Sequence, residues 1–276
     1  MKLNFIKVNP TENMTVFVAD PISRAQYMDV ARKIMDYNSI HAEQVGFIEK
    51  PSHKDACMRL HMMGGEFCVN ATRALATALV DKGYCDHLKR EQKFIVPLEV
   101  SGAVDVIHCE VTPMEDTKSY LTMAKIPLYK AIESFNVNFK DTVYEGELVI
   151  FPGIVHLVVP IKGIDDKEAF FYKVREELKD VTYDALGIMF YDEEKSYMEP
   201  LVYVKETDSL IWERGCGSGT AAVGTVLCHK AKKNLDIAIQ QPGGTLQILA
   251  EWGEDQIKNM YLSGRVEIVA EGMVYL

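Results

Sequence analysis

Two cysteines begin the two copies of an internal repeat, each in a position where a thiol can become reactive. At an offset of 148 residues, CVNATRALATAL, which starts at Cys68, aligns with CGSGTAAVGTVL, which starts at Cys216. Cys, Thr, Ala, Thr and Leu match, five of twelve positions. Each copy follows an apolar segment typical of a strand, at 59–63 and at 210–212, and each has the small-residue pattern of a helix.

A cysteine at the start of a helix lies beside unpaired backbone N–H groups and the positive end of the helix dipole, which both favour the thiolate. The same N–H groups bind carboxylates, and Asn70 and Ser218 are candidate helix N-caps. Two such turns facing one another would hold an amino acid between two thiols. One thiol would remove the α-proton and the other would return a proton to the opposite face, with one proton shared by the pair. The repeat therefore favours inversion of a carbon centre.

The elements that must position these cysteines are those of a sheet-rich α+β protein. Short runs of alternating apolar residues predict many strands, and helical patterns are confined to a few segments, among them 24–37, 72–80, 165–180 and 220–233. The offset of the repeat is close to half the chain. We therefore predict two pseudo-symmetric lobes, each a mixed or antiparallel sheet wrapped around a central helix. Residues 1–115 would carry Cys68 and residues 116–265 would carry Cys216, with a final strand at about 266–276 crossing back to the first lobe.

Composition limits the class of protein. Hydrophobic residues make up 48% and charged residues 25% of the 276 residues, as in ordinary globular proteins. The formal charge of −10 argues against nucleic-acid binding. The N-terminus lacks the pattern of an export signal, and the longest uncharged run, 148–161, is too short for a membrane helix. Six scattered cysteines predict reduced thiols in the cytoplasm.

Six motifs, in chain order, resemble those of the cofactor-independent two-cysteine amino-acid racemases and epimerases, whose best-known member is diaminopimelate epimerase. They are NPTENMT (9–15), EQVGFIE (43–49), GGEFCVNAT (64–72), VHLVVP (155–160), IWERGCGSGT (211–220) and QPGG (241–244). Within this superfamily the chain is similar in particular to the histidine racemases of staphylopine-type metallophore pathways. The resemblance implies an isomerase without a cofactor and the diaminopimelate epimerase-like fold of two lobes.

The resemblance also implies roles for individual residues. The two cysteines would be the bases, and two further residues beside them would orient the amino group or set protonation, which makes four catalytic residues: Cys68, Cys216, Glu213 and His156. Other residues would line the substrate site or hold the α-carboxylate: Asn13, Gln44, Val69, Asn70, Gly217 and Ser218.

Departures from diaminopimelate epimerase bear on the substrate. Cys68 is followed by Val-Asn-Ala instead of Gly-Asn-Gly, and the Gly-Asn-Pro-His segment of that enzyme is here Gly-Ile-Val-His at 153–156. Ile154 cannot hydrogen-bond a charged distal group, and the segment 187–190 is apolar. Arg214 matches a distal arginine of the family, which keeps an acidic side chain open. Histidine is therefore the leading substrate, and another amino acid or diaminopimelate is the alternative.

A function of a different class also fits, a thiol redox protein in which Cys68 and Cys216 form a reversible disulfide. The other four cysteines are interpreted as packing residues. No cofactor and no metal are expected, because paired C-x-x-C spacing and a dinucleotide-binding fingerprint are both missing. The expected partner is a small-molecule amino acid, with no nucleic acid and no membrane, and a homodimer is compatible with the sequence.

Overall fold

Strands make up most of the regular structure. The computed structural model describes residues 1–115, 118–206 and 208–276, and within these ranges the α-helices are α1 Tyr27–Met35, α2 Val69–Asp81, α3 Lys167–Glu177 and α4 Gly217–Ala231. Short 3-10 segments span Arg24–Gln26 and Asp86–Leu88. Each helix overlaps a segment with a predicted helical pattern. The sheet-dominated α+β class is confirmed.

The chain forms two units, Met1–Ile126 with Tyr261–Leu276, and Pro127–Met260. Residue 116, the predicted start of the second lobe, lies outside the described residues, and the first unit continues past it to Ile126. The segment predicted as a final strand is the end of a longer strand, Gln256–Tyr275, whose residues from Tyr261 onward belong to the first unit.

The first unit is a mixed sheet. Its strands are β1 Lys2–Asn9, β2 Thr15–Val18, β3 Gln44–Glu49, β4 Met58–Met62, β5 Lys89–Arg90, β6 Lys93–Val100, β7 Ile107–Pro113 and β8 Ser119–Lys125, with most of β17 Gln256–Tyr275. β2 runs parallel to β3 and β4 parallel to β6. The pairs β1–β2, β1–β17, β3–β4, β5–β6, β6–β7, β7–β8 and β8–β17 are antiparallel.

Helix α2 is buried in the first unit. Every residue from Val69 to Val80 is buried, and the helix packs against β1, β2, β6, β7 and β8. Ala and Thr dominate its sequence, and such small side chains let a helix approach strands closely on all sides. The position of Cys68, directly before α2, is therefore set by a rigid element.

The second unit has strands β9 Ala131–Phe139, β10 Thr142–Ile150, β11 Ile154–Pro160, β12 Ala185–Asp192, β13 Tyr197–Val204, β14 Ser209–Trp212, β15 Leu235–Gln241 and β16 Gly244–Gly253. Its neighbours pair antiparallel except β11–β12 and the short β13–β15 contact, which are parallel. Helix α4 packs against β10, β11, β12, β15 and β16. Helix α3 buries Phe170 and Phe171 in the core.

Among the described residues, no helix is both long enough and apolar enough to cross a bilayer.

Candidate active site

Each repeat cysteine is itself the N-cap of its helix. Cys68 has extended backbone angles, and its Sγ accepts a hydrogen bond from the Ala71 N–H at 3.4 Å. Thr72 Oγ1 donates back to the Cys68 carbonyl oxygen at 2.7 Å. The prediction that Asn70 caps this helix is wrong, because the thiol occupies the place that a capping oxygen would take.

The start of α4 repeats this arrangement. Cys216 Sγ accepts from the Gly219 N–H at 3.2 Å, and Thr220 Oγ1 donates to the Cys216 carbonyl oxygen at 2.6 Å. Ser218 is therefore not the N-cap either. The first threonine matched by the sequence repeat thus has one local function in both copies, which is to tie the cysteine carbonyl to the helix.

Three predicted substrate-site residues surround Cys68, and we call these four residues the Cys68 site: Cys68, Asn13, Gln44 and Asn70. The Cys68 S–H donates to Gln44 Oε1 at 3.1 Å, and Gln44 Nε2 donates to Asn13 Oδ1 at 2.6 Å. Asn70 Nδ2 donates to the same Asn13 oxygen at 3.2 Å. The structure therefore joins the thiol to residues from β3, α2 and the loop before β2 through a continuous set of hydrogen bonds.

A tight turn delivers Asn13 to this site. Thr11 and Glu12 have positive φ angles of 64° and 52°, a backbone region that is unusual for a β-branched residue such as threonine. The Glu12 N–H donates to Asn9 Oδ1 at 2.6 Å, which closes the turn after β1. Backbone strain of this kind often marks a functional site. Here it directs Asn13 toward Cys68, and Asn13 Nδ2 also donates to Glu43 Oε2 at 2.9 Å.

The loop before Cys68 is held by residues that the sequence did not single out. Ser101 Oγ donates to the Glu66 carbonyl oxygen at 2.8 Å and accepts from the Met62 N–H at 2.9 Å. Gly102, with φ of +73°, lies so close that a Cβ added to it would be 2.3 Å from the Phe67 nitrogen. The turn after β6 thus supports the backbone that leads into Cys68.

Gly102→Ala should destabilise the protein by more than Gly83→Ala and should also slow the chemistry of Cys68. Both glycines have positive φ, but a Cβ at Gly83 would meet nothing closer than Asp86 Oδ2 at 3.5 Å. Gly83→Ala should therefore lower the free energy of unfolding only by the cost of placing a Cβ at positive φ, about 1 kcal/mol. Gly102→Ala adds a steric clash between the new Cβ and the Phe67 backbone. Urea unfolding and the rate of Cys68 alkylation measure the two effects. Equal losses of stability in the two variants would contradict the proposed support.

Cys216 lies beside two predicted catalytic residues and one predicted substrate-site residue, and we call these four residues the Cys216 site: Cys216, His156, Glu213 and Ser218. Ser218 Oγ lies 3.6 Å from Cys216 Sγ and 2.9 Å from His156 Nε2. His156 is completely buried on β11, opposite Gly187 of β12. A Cβ at Gly187 would be 2.3 Å from His156 Nδ1, so only glycine leaves room for the ring.

Gln241 holds the backbone of Cys216, a role that the sequence did not reveal. Its Oε1 accepts from the Cys216 N–H at 2.7 Å, and its Nε2 donates to Thr220 Oγ1 at 2.8 Å. In the adjoining Pro-Gly-Gly turn, the Gly243 N–H donates to the Arg214 carbonyl oxygen at 2.7 Å. The exposed Arg214 side chain donates to the Pro242 carbonyl oxygen at 3.3 Å. The QPGG motif thus fixes the loop from 214 to 216.

The two remaining predicted residues are the first residues of the helices. Val69 and Gly217 are both buried, so the α-carboxylate contacts expected there would be made by backbone N–H groups. Among the described residues, no group of three His, Cys, Asp or Glu side chains is arranged to hold a metal ion.

The electrostatics of the two thiols differ. Burial raises the pKa of Cys68 to about 11, and Glu66 adds to this rise. Burial raises the pKa of Cys216 well above its usual value, and the nearby Glu213 carboxylate raises it further. Cys68 is half-buried, whereas Cys216 is 2% exposed. Cys68 is therefore the more accessible thiol, and a carboxylate opposes the ionisation of each.

His156 is neutral at physiological pH, because burial lowers its pKa to about 3. The unfolded chain binds a proton to this histidine below about pH 6.5, whereas the folded chain does not. Stability should therefore decline as pH falls below 6.5, and this histidine should account for about 2 kcal/mol of the loss at pH 5. In His156→Gln, the free energy of unfolding in urea should fall less between pH 7 and pH 5 than in wild type. The same substitution at exposed His108 should keep the wild-type decline; an equal decline in His156→Gln would contradict this account.

Comparison with known proteins places the chain in a family. Residues 2–275 match the family described as the histidine racemase CntK N-terminal domain. A histidine racemase of Fusobacterium nucleatum is 38% identical over 99% of this chain and 97% of its own length. A histidine racemase of Staphylococcus aureus is 31% identical over 99% and 98%. A hydroxyproline epimerase structure from Agrobacterium vitis superposes with a TM-score of 0.71 at 10% identity, covering 100% of this chain and 93% of its own, which shows a shared fold. The chain belongs to the CntK histidine racemase family.

Proposed function

We propose that this protein interconverts L- and D-histidine with two thiols and no cofactor. The observation that carries the proposal is the duplicated cysteine: each thiol N-caps a buried helix, accepts an N–H from that helix and is tied to it by a threonine. The relatives named histidine racemases support the substrate.

The proposal requires the Cys68 site and the Cys216 site to face one another. Two lobes, each a sheet wrapped around a central helix and related by a pseudo-twofold axis, would place the starts of α2 and α4 on opposite sides of one substrate. The backbone N–H groups of Val69–Asn70 and Gly217–Ser218 would hold the α-carboxylate, and Asn13 and Gln44 would line the site.

The reaction is a transfer of two protons. The Cys68 thiolate takes the α-proton, and the electron pair of the broken C–H bond passes into the carboxylate, which becomes an enediolate. The Cys216 thiol gives its proton to the opposite face and becomes the thiolate. Donors aimed at the developing negative charge stabilise it by about 3 kcal/mol each. The reverse reaction uses the thiols in exchanged roles.

Glu213 and His156 would set the protonation of Cys216. The negative charge of Glu213 raises the pKa of the thiol and keeps its proton in place until substrate binds. Neutral His156 holds Ser218 beside the sulfur without adding charge. In the active state one proton is then shared by the pair, with Cys216 as the thiol and Cys68 as the thiolate.

Histidine fits the part of the proposed site that would receive the substrate side chain better than diaminopimelate does. Ile154 replaces an asparagine of diaminopimelate epimerase, and the strand at 185–192 is buried from Leu186 onward, with an apolar stretch at 188–190. Such a site rejects a charged distal group and accepts a less charged ring. Arg214 favours the alternative of an acidic side chain.

D-Histidine formed in the cytoplasm, by a monomer or a homodimer, would supply metallophore biosynthesis.

The test is incubation of the reduced protein with L-histidine in deuterated water. Chiral chromatography should show D-histidine, and mass spectrometry should show one deuterium at the α-carbon. A panel of L-amino acids that includes diaminopimelate measures specificity. Unchanged L-histidine would overturn the proposal, and a disulfide between Cys68 and Cys216 that forms in such an inactive protein once the reductant is removed would favour the redox alternative. Under our proposal, that disulfide should abolish activity and reduction should restore it.

A further inference from the structure

Helix α2 carries a buried positive charge on Arg73, five positions after Cys68. Arg73 is 0% exposed, in a helix whose other residues are small or apolar apart from Asn70 and the C-terminal Asp81. Burying a guanidinium is costly unless an anion pairs with it. At the position that matches Arg73 in the sequence repeat, α4 has Ala221. The charge therefore belongs to the Cys68 site alone.

The contacts of Arg73 leave this charge without a counter-ion. One terminal nitrogen donates to the Gly264 carbonyl oxygen at 3.0 Å, and the other donates to Asn70 Oδ1 at 2.9 Å. Its Nε is buried and has no hydrogen-bond partner in the described part of the chain. No carboxylate of the described residues forms an ion pair with it. Dipoles surround the charge, but none neutralises it.

The contact with Asn70 links Arg73 to the reactive thiol. A guanidinium only donates hydrogen bonds, so it fixes the Asn70 oxygen toward itself and the Asn70 nitrogen toward Asn13. Asn13 in turn accepts from Gln44, which contacts Cys68. Arg73 is thus the fixed end of the hydrogen bonds that position Cys68.

Few other charges face this region. The titratable neighbours are Cys109 of β7, Glu66 before α2, and Glu43, which accepts from Asn13. The charged residues of β1, β6, β7 and β8, the charged strands packed against α2, all keep some exposure to solvent. Burial raises the pKa of Cys109 to about 12, so this thiol stays protonated, and an anion at the start of α2 would supply the missing counter-ion.

We propose that Arg73 is a positioning residue of the Cys68 site, whose buried charge stabilises the Cys68 thiolate and the anionic group bound beside it. The charge of Arg73 favours the thiolate of Cys68. Helix α4 has no such charge, and the Glu213 carboxylate disfavours the thiolate of Cys216. The inference rests on the proposed function and deepens it, because it identifies which thiol ionises more readily.

The test is site-resolved alkylation, which needs no turnover and can therefore fail independently of the racemase proposal. Iodoacetamide modification of Cys68 and Cys216 is followed by peptide mass spectrometry from pH 6 to pH 10. In Arg73→Gln, Cys68 should react about tenfold more slowly at each pH in this range, which corresponds to a rise of about one pH unit in its pKa. Arg73→Lys should stay near wild type, and Cys216 should not change in either variant.

Three outcomes would overturn the proposal. They are an unchanged rate of Cys68 alkylation in a folded Arg73→Gln variant, an equal loss of this rate in Arg73→Lys, and an equal loss of the rate of Cys216 alkylation. Should Arg73→Gln fail to fold, Asn70→Asp places a carboxylate at the 2.9 Å contact and neutralises the charge in place. It too should slow the alkylation of Cys68, and an unchanged rate would contradict the inference.

Discussion

Replacing either Cys68 or Cys216 by alanine should lower the rate of histidine racemisation by at least about a thousandfold. Each thiol serves one face of the α-carbon, so the loss of one leaves inversion without its acid or its base. The reductions should be similar for L- and D-histidine, because each direction uses both thiols. Chiral chromatography of both reactions gives the rates. Cys228→Ala is the control, since this buried cysteine lies on α4, the helix that Cys216 caps, and its S–H donates to the Lys233 carbonyl oxygen at 3.3 Å.

Deuterium exchange makes the two alanine variants distinguishable from misfolded protein. With one thiol left, the α-proton of one enantiomer can still be removed and returned from the same side. Cys216→Ala should therefore exchange the α-proton of one histidine enantiomer without inverting it, and Cys68→Ala should do so with the other. Full racemisation in either variant would contradict the two-thiol mechanism, and exchange of the same enantiomer in both would contradict the assignment of one thiol to each face.

The starts of α2 and α4 were predictable because local chemistry decides them. The small-residue helices and the preceding strands follow from patterns within a dozen residues. The capping residues were not predictable in this way. Asn and Ser are common N-caps, yet Asn70 bonds to Asn13 and Arg73 instead, because tertiary partners compete successfully for its amide.

The residues that hold the cysteines from a distance could not be identified from the sequence. Gln241 is 25 positions from Cys216, and Ser101 is 35 positions from Glu66. Each lies next to a turn signal, Pro-Gly-Gly or Ser-Gly, which predicts a local bend but not the backbone that the bend supports. Of the residues that hold the backbone of the two cysteines, only Thr72 and Thr220 could be identified from the sequence, because the repeat aligns them.

The two thiols of the wild-type protein should differ strongly in their rates of alkylation. Iodoacetamide should modify Cys68 at least about tenfold faster than Cys216 at neutral pH, because only the thiolate reacts. Burial and the Glu213 carboxylate raise the pKa of Cys216 well above its usual value, whereas that of Cys68 rises to about 11. Cys57, the other cysteine that is not buried, is quantified separately by peptide mass spectrometry.

Two matched substitutions test the cause of this difference. A neighbouring negative charge raises the pKa of a thiol, so its removal lowers that pKa and increases the thiolate at a given pH. Glu213→Gln should therefore speed alkylation of Cys216 and leave Cys68 unchanged. Glu66→Gln should speed Cys68 and leave Cys216 unchanged, by a smaller factor because Glu66 is exposed and its charge is screened by solvent. Faster modification of Cys216 in the wild-type protein would reverse the assignment, since Cys216 would then be the thiol that ionises more readily.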